Sequence, residues 1–270
     1  ISNTIPNILK SGRLMMGPWN EKFKKNFSKI IGSKYALSTN SCTTAIQIAL
    51  EFYKVKGHDV MVPSGSFQSG ISAIKWSGAN PILVDMNPET LSFSLEDLKK
   101  KITKKTKGII WVHVTGVISS EYKKIVQFAK SNNLFIIEDC AHAQGSGIDK
   151  KKAGTLGDVG VFSFFPSKIM TTGSGGMLTT DDRKLAEFTM KMRIFGRNIN
   201  KPGVSLEGND WFLDEIRACV GYHQLSDFQN NLKRRKEIAK LYDKAFKNHK
   251  RIRILKLSKN NISAYYQYPI

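Results

Sequence analysis

The chain has 270 residues, 41% of them hydrophobic, which is enough for one large core or one core with a smaller appendage. No run of about eighteen apolar residues occurs, so no membrane-spanning helix is expected, and no charged–apolar–small N-terminal pattern marks a signal peptide. Three widely spaced cysteines, Cys42, Cys140 and Cys219, argue against a disulfide framework or a zinc cluster and for a reducing, cytoplasmic compartment. Forty-two Lys and Arg against 22 Asp and Glu give a formal net charge of +20. That balance suits an anionic partner. The basic residues, however, fall in short runs (Lys99 to Lys101, Lys104 and Lys105, Lys150 to Lys152, Lys233 to Lys236). No aromatic residues interleave with them as a nucleic-acid stacking platform requires, so they read as a solvated surface.

Residues 1–19 read as a loosely structured lead-in, punctuated by Gly12 and Gly17-Pro18. From Trp19 to Ile31, Phe23, Phe27, Ile30 and Ile31 recur at helical spacing, with Gly32 as the stop. A strand at Tyr35–Ser38 runs into Thr39-Asn40-Ser41-Cys42-Thr43-Thr44, and a helix follows over Ala45–Tyr53. Strand, hydroxyl-rich turn and helix make an anion site, because N–H groups and hydroxyls converge on a positive helix end; an ordinary N-cap would need only one of those hydroxyls. Strands are expected at Asp59–Pro63, Pro81–Asp85, Gly108–Val114 and Leu134–Asp139, with helices opening after Ser64 and spanning Leu91–Ile102 and Ser119–Ser131. Strands alternating with helices predict βαβ units and a mainly parallel sheet.

The fifth strand ends on Glu138 and Asp139. Two carboxylates after an apolar run are costly unless paired or placed at the sheet edge where ligands gather, so they are read as functional groups or as caps for the following turn. The stretch Gly157–Thr180 then reads as a strand (Val159–Phe165), a turn with Ser163, Pro166, Ser167 and Lys168, a loop Gly173–Gly176, and a strand Met177–Thr180. A lysine between two apolar strands is either a solvated turn residue or an amine held in a dry site, where desolvation makes it a nucleophile. Asp181 and Asp182 cap a helix to about Ile194, and a polar loop covers Gly196–Gly208. Helical periodicity runs through Leu213–Asp227, and a basic helix over about Leu232–Asn248. Arg251–Ile270 reads as the first strands of another subdomain, closing on a strand-like Tyr265–Ile270.

Four segments in order, SCTTA (Ser41–Ala45), PSGSFQS (Pro63–Ser69), EDCAHAQG (Glu138–Gly145) and FSFFPSK…GSGG (Phe162–Gly176), together resemble the DegT/DnrJ/EryC1/StrS family of pyridoxal-phosphate-dependent sugar aminotransferases. The resemblance runs from about Gly17 to Pro269. It implies the fold-type-I α/β architecture, a mainly parallel sheet with helices on both faces. It also implies a large cofactor-binding domain over residues 1–230, including the lead-in. A linking helix and the start of an incomplete C-terminal small domain would occupy residues 231–270.

By position, the resemblance implies that Lys168 carries the cofactor, pyridoxal 5′-phosphate, as an aldimine and later moves protons. Asp139 would pair with the pyridine nitrogen and keep the ring an electron sink. His142 would contact the ring's 3-oxygen, and Phe67 would stack on the ring. Cys42, Thr43, Thr44 and Ser163 would surround the phosphate. The family implies glutamate or glutamine as amino donor, a keto-sugar nucleotide or related cyclic ketone as acceptor, and a homodimer with shared sites. Membrane and nucleic-acid partners are not expected.

The sequence departs from the family at several points. Cys42 stands where Gly is usual, and Gly173-Ser174-Gly175-Gly176 replaces Gly-Glu-Gly-Gly. Gly208-Asn209-Asp210-Trp211-Phe212 aligns with a segment that reaches the neighbouring chain's phosphate. Asp210 there brings a negative charge toward an anion, and no Arg stands at Phe212. Two other readings remain: a non-catalytic or regulatory paralogue that binds polyanions, and a cofactor-dependent sugar dehydratase. Relatives that dehydrate typically carry His at the position of Lys168.

Overall fold

A computed structural model describes residues 1–198 and 201–270. Ile199 and Asn200, inside the polar loop expected over Gly196–Gly208, lie outside the described residues. Seven strands build the central sheet: β1 (Tyr35–Thr39), β2 (Asp59–Pro63), β3 (Asn80–Val84), β4 (Thr106–Val112), β5 (Phe135–Asp139), β6 (Val159–Ser163) and β7 (Gly176–Thr180). Their order is β1-β7-β6-β5-β4-β2-β3. The pairs β6/β5, β5/β4, β4/β2 and β2/β3 are parallel. Strand β7 runs antiparallel to both its neighbours, β1 and β6.

The inner strands are apolar on both faces because helices cover both, as the continuous hydrophobic runs require. On one face Ile109, Trp111, Ile136 and Phe162 pack with Phe23 and Phe27 of α2 (Pro18–Ile31). On the other, Ile110, Val112, Ile137 and Val161 pack with Ala45, Ile46 and Ala49 of α3 (Cys42–Phe52). Successive strand residues thus serve opposite cores. Each large side chain fully buried in these layers contributes about 1.5–3 kcal/mol of transfer free energy. Helix α4 (Ser69–Trp76) lies on the α3 side, while α5 (Leu95–Lys101) and α6 (Tyr122–Ser131) lie with α2; α7 (Arg183–Met192) joins α3.

The loop expected over Gly196–Gly208 holds a short ladder, Arg197–Asn198 with Lys201–Val204, and the helix expected over Leu91–Ile102 starts only at Leu95, after a two-residue strand; three further expectations differ from the fold. The lead-in contains a helix, Ile5–Ser11, started by Pro6 in its first turn and stopped by Gly12 at φ 65°, with Ile8 buried; one apolar contact in seven residues is too sparse a pattern to announce it. In the second case two helices were expected, and one continuous helix α8 runs from Glu215 to Phe246. No Pro or Gly interrupts residues 222–246, so nothing breaks the hydrogen-bond ladder. Third, Tyr265–Ile270 is not a strand, and in this region only Asn261–Ile262 pairs, with Gly147–Ile148. Tyr265 sits at φ 48°, a left-handed conformation that turns the chain out of any extended run.

One buried carboxylate ties α2 to the long helix α8. Glu215, 1% exposed in the first turn of α8, accepts hydrogen bonds from the N–H groups of Gly17, Trp19 and Asn20, each at 2.9 Å. Those are free donors at the α2 N-terminus, where a negative charge is favoured. A Cβ on Gly17 would collide with the Glu215 carboxylate, so only glycine fits there.

Candidate active site

The carboxyl ends of the parallel strands open on a cavity of about 460 Å³, the position at which open α/β sheets bind ligands. Its lining includes Cys42, Thr43, Phe67, Asp139, His142, Ser163 and Lys168. Each of these lies in a motif of the sequence, and they come together from four separate segments. Thr44 and Asp210 do not line it. The Thr44 hydroxyl is turned inward, within 2.7 Å of Asn40 Oδ1 and 2.9 Å of Ser41 Oγ. Asp210 is exposed beside the cavity's outer turn, its carbonyl accepting from Asn40 Nδ2 at 3.3 Å.

One wall is the start of α3. Ser41 is the N-cap, its Oγ accepting from Thr44 N–H at 3.1 Å. The following N–H groups and the Thr43 hydroxyl are left at a positive helix end. Strand β7 presses against this turn: a Cβ on Gly176 would collide with the Ser41 carbonyl and the Cys42 nitrogen. Gly176 therefore allows the backbone approach that sets the turn beside Ser163, while a Cβ on Gly175 would meet the Thr172 hydroxyl.

Lys168 sits on the turn joining β6 to β7. Phe164 N–H donates to Gly175 O at 2.9 Å, Thr172 N–H to Phe164 O at 3.0 Å, and Lys168 N–H to Phe165 O at 2.9 Å. Gln144, 1% exposed, straps both ends of the turn: its Nε2 donates to Ser163 O at 2.7 Å and its Oε1 accepts from Met170 N–H at 2.8 Å. The lysine is thus presented from a cross-braced hairpin rather than from a loose loop.

Asp139 closes the floor, 7% exposed. Its Oδ1 accepts from Ala141 N–H at 3.0 Å and faces the Cys42 thiol at 3.9 Å; among the described residues no donor reaches Oδ2. Burial pushes the carboxyl up from its ordinary value, while the Ala141 N–H and then the Lys168 and His113 charges draw it back. Burial and the adjacent Asp139 push the Cys42 thiol up, so it is a protonated, weakly donating group rather than a thiolate. His142 is half-buried and lines the cavity, and its buried Nδ1 has no hydrogen-bond partner among the described residues. Burial, then the Lys168 charge, lower its pKa to about 4.

The neighbouring Glu138 plays a different part. It points to the opposite face, 0% exposed, and accepts from Gly154, Leu156 and Gly157 N–H at 2.9, 2.5 and 2.7 Å and lies 2.8 Å from His113 Nε2. It clamps the turn leading into β6. His113, Glu138 and Cys140 come close enough to suggest a metal centre, but the Glu138 oxygens are already filled by these donors. The sequence reading did not single out Tyr266 and Gln267, which also line the cavity. They arrive from the last described segment, where no motif marks them.

The sequence matches the profile of the DegT/DnrJ/EryC1/StrS aminotransferase family over residues 1–270. The chain belongs to the DegT/DnrJ/EryC1/StrS family. Among curated relatives of this aminotransferase family, GDP-perosamine synthase of Escherichia coli O157:H7 is 37% identical over 230 residues. That match covers 84% of this chain and 63% of the relative, so the chain spans just under two thirds of that relative's length. The crystal structure of a DegT/DnrJ/EryC1/StrS aminotransferase from Brucella abortus superposes with a TM-score of 0.93 at 29% identity, covering 99% of this chain and 73% of that one. The PLP form of Spr1654 of Streptococcus pneumoniae gives a TM-score of 0.91 at 27% identity, with 98% and 73% covered. The central sheet with helices on both faces is accordingly the fold of PLP-dependent aminotransferases.

Pyridoxal 5′-phosphate is the cofactor the family implies, and the residues present fit it. A buried carboxylate has one oxygen free of protein donors, an amine shares its cavity, and a helix N-terminus with an unshared threonine hydroxyl stands to one side. Among the described residues no helix is long and apolar enough to cross a membrane.

Proposed function

We propose that this protein is a PLP-dependent aminotransferase that moves an amino group from glutamate or glutamine to a keto-sugar nucleotide or related cyclic ketone. The observation that carries the reading is the meeting of Lys168 and Asp139 in one cavity at the carboxyl ends of the sheet, beside the α3 N-terminus. When bound, the cofactor supplies a ring that draws off the electron pair left by a broken C–H bond next to the amino nitrogen. Asp139 would hold the ring nitrogen protonated through its free oxygen. Lys168 would be the amine of attachment and, once released, would carry a proton between carbons. Thr43, Ser163 and the first N–H groups of α3 would hold the phosphate. Phe67, 73% exposed, would lie over the ring and exclude water from that side.

In the same reading the protein works in the cytoplasm as a homodimer with shared sites. Residues 1–230 form the large domain, and residues 231–270 begin a smaller one. The GDP-linked product named in the E. coli relative and the net charge of +20 both support an anionic nucleotide acceptor.

Added PLP is expected to give the purified protein a near-ultraviolet or visible band that borohydride fixes, and that Lys168→Ala lacks. Glutamate should then bleach that band, and a panel of keto-sugar nucleotides should restore it with release of an amino sugar. A protein that stays colourless with PLP would reject the reading.

A further inference from the structure

Tyr266 enters the cavity from the last described segment and touches two of the groups assigned above. Its ring stacks on the His142 imidazole with centroids 4.2 Å apart and planes 17° from parallel. The Lys168 Nζ lies 4.6 Å from the centroid of the same ring, within cation–π range. Its hydroxyl stands 3.3 Å from Ser167 Oγ, one residue from the lysine.

The segment that delivers it is tied down. Ser263 Oγ donates to Gly116 O at 3.2 Å, Ala264 N–H to Ser146 Oγ at 3.0 Å, and Tyr265 N–H to Ser263 Oγ at 3.0 Å. The Arg235 guanidinium of α8 donates to the carbonyls of Tyr265 and Tyr266 at 3.0 and 3.4 Å. With Tyr265 in the left-handed region, these bonds aim the next side chain inward.

We propose that Tyr266 is a positioning residue of this site: its ring fixes the His142 imidazole flat against the cavity wall and steadies the Lys168 amine beside it. The inference rests on the aminotransferase reading for its purpose, but the contacts themselves do not. His142 has no hydrogen bond from Nδ1 to hold it, so the stacked ring is its orienting contact. Coverage by the phenol also keeps the imidazole out of water and neutral, so that it would meet the proposed cofactor without bringing a charge. The groups facing His142 are Lys168 from the β6–β7 turn, Asp139 from the end of β5, Cys42 from the first turn of α3, and the Tyr266 phenol. Neither Asp139 nor Cys42 supplies the flat coverage that the phenol does.

Two measurements on the intact protein test this. In the cofactor-free form, the His142 ring resonance, assigned by its loss in His142→Gln, should titrate near 4 in the wild type. It should stay there in Tyr266→Phe and rise by about one unit or more in Tyr266→Ala as water reaches the imidazole. In the second, PLP affinity read by absorbance should fall about tenfold in Tyr266→Ala, stay within about twofold in Tyr266→Phe, and fall less in going from His142→Ala to Tyr266→Ala/His142→Ala than in going from wild type to Tyr266→Ala. An unmoved His142 titration, or losses that simply add, overturns the proposal. Should Tyr266→Ala not fold, Tyr266→Ser removes the cover and the aromatic face together while leaving a small polar side chain, and the same outcomes apply. A wild type that takes up no PLP would defeat the aminotransferase reading, while the cofactor-free titration would still decide the role of Tyr266.

Discussion

Neighbouring residues divide the work at the end of β5. Glu138 and Asp139 differ by one position and therefore point to opposite faces. One clamps backbone N–H groups in a dry core, and the other ends in the cavity with an oxygen to spare. The sequence marked the pair as unusual, but which acid went to which face depends on the register of β5 against β4 and β6, and that is set by tertiary pairing. His142 carries a pH prediction. Its pKa falls from 6.5 in the unfolded chain to about 4 in the fold. Between those values the unfolded state binds the extra proton, so stability is full above pH 6.5 and is lost as pH falls toward 4. Over that window the cofactor-free wild type should lose on the order of 2 kcal/mol more than His142→Gln, as read from urea midpoints at each pH. Equal losses in the two proteins would show that His142 does not titrate as described.

At the level of elements, the strands and the anion-binding turn were the most legible features. Long apolar runs bounded by Gly, Asn and Asp leave little choice of structure, and Ser41 caps α3 in the way a hydroxyl-rich turn announces. The long helix was less legible. The periodicity of its buried face fades after Leu232, where only Ala239 is buried, so sequence pattern alone divided it in two. The joint between α8 and α2 could not be read at all, because Glu215 and Gly17 are 198 residues apart. Glu215→Ala is expected to leave three donors at the α2 N-terminus unsatisfied and to lower unfolding free energy by about 3–5 kcal/mol. Glu215→Gln should lose less, since one amide oxygen can still accept. Chemical denaturation with a two-state fit measures both, and a loss below about 1 kcal/mol for Glu215→Ala would mean water replaces the carboxylate there.

Across the whole molecule, residues that line one cavity come from residue 41 to residue 267, which is why single motifs were weak and their order was informative. Tyr266 shows the limit of that reasoning: no spacing rule leads to it, because Arg235 and the loops after β4 and β5 decide where the last segment goes. Asp210 poses a question at the same scale. It is exposed and outside this chain's cavity, whereas the proposed homodimer would bring it toward a neighbour's phosphate. In that assembly Asp210→Asn removes a like charge, and PLP should bind about fivefold more tightly at low salt, the gain shrinking as salt rises. Unchanged affinity, measured beside sedimentation velocity to establish the dimer, would place Asp210 away from any phosphate.

The lone reversed strand, β7, has an implication for how such a chain can vary. Ser163 and Gly176 face each other across a fixed rung, and Gly176 also faces Thr39 in β1. A residue added or removed where the connection is pinned, by the Phe164–Gly175 and Thr172–Phe164 bonds, would break those bonds and shift the amine from its partners, whereas exposed Gly173, with nothing within 4 Å of its would-be Cβ, leaves room for a change of length. Length polymorphism in that twelve-residue bridge (164–175) is therefore confined to its exposed tip around Gly173, and the braced part that carries the amine keeps a fixed count of residues.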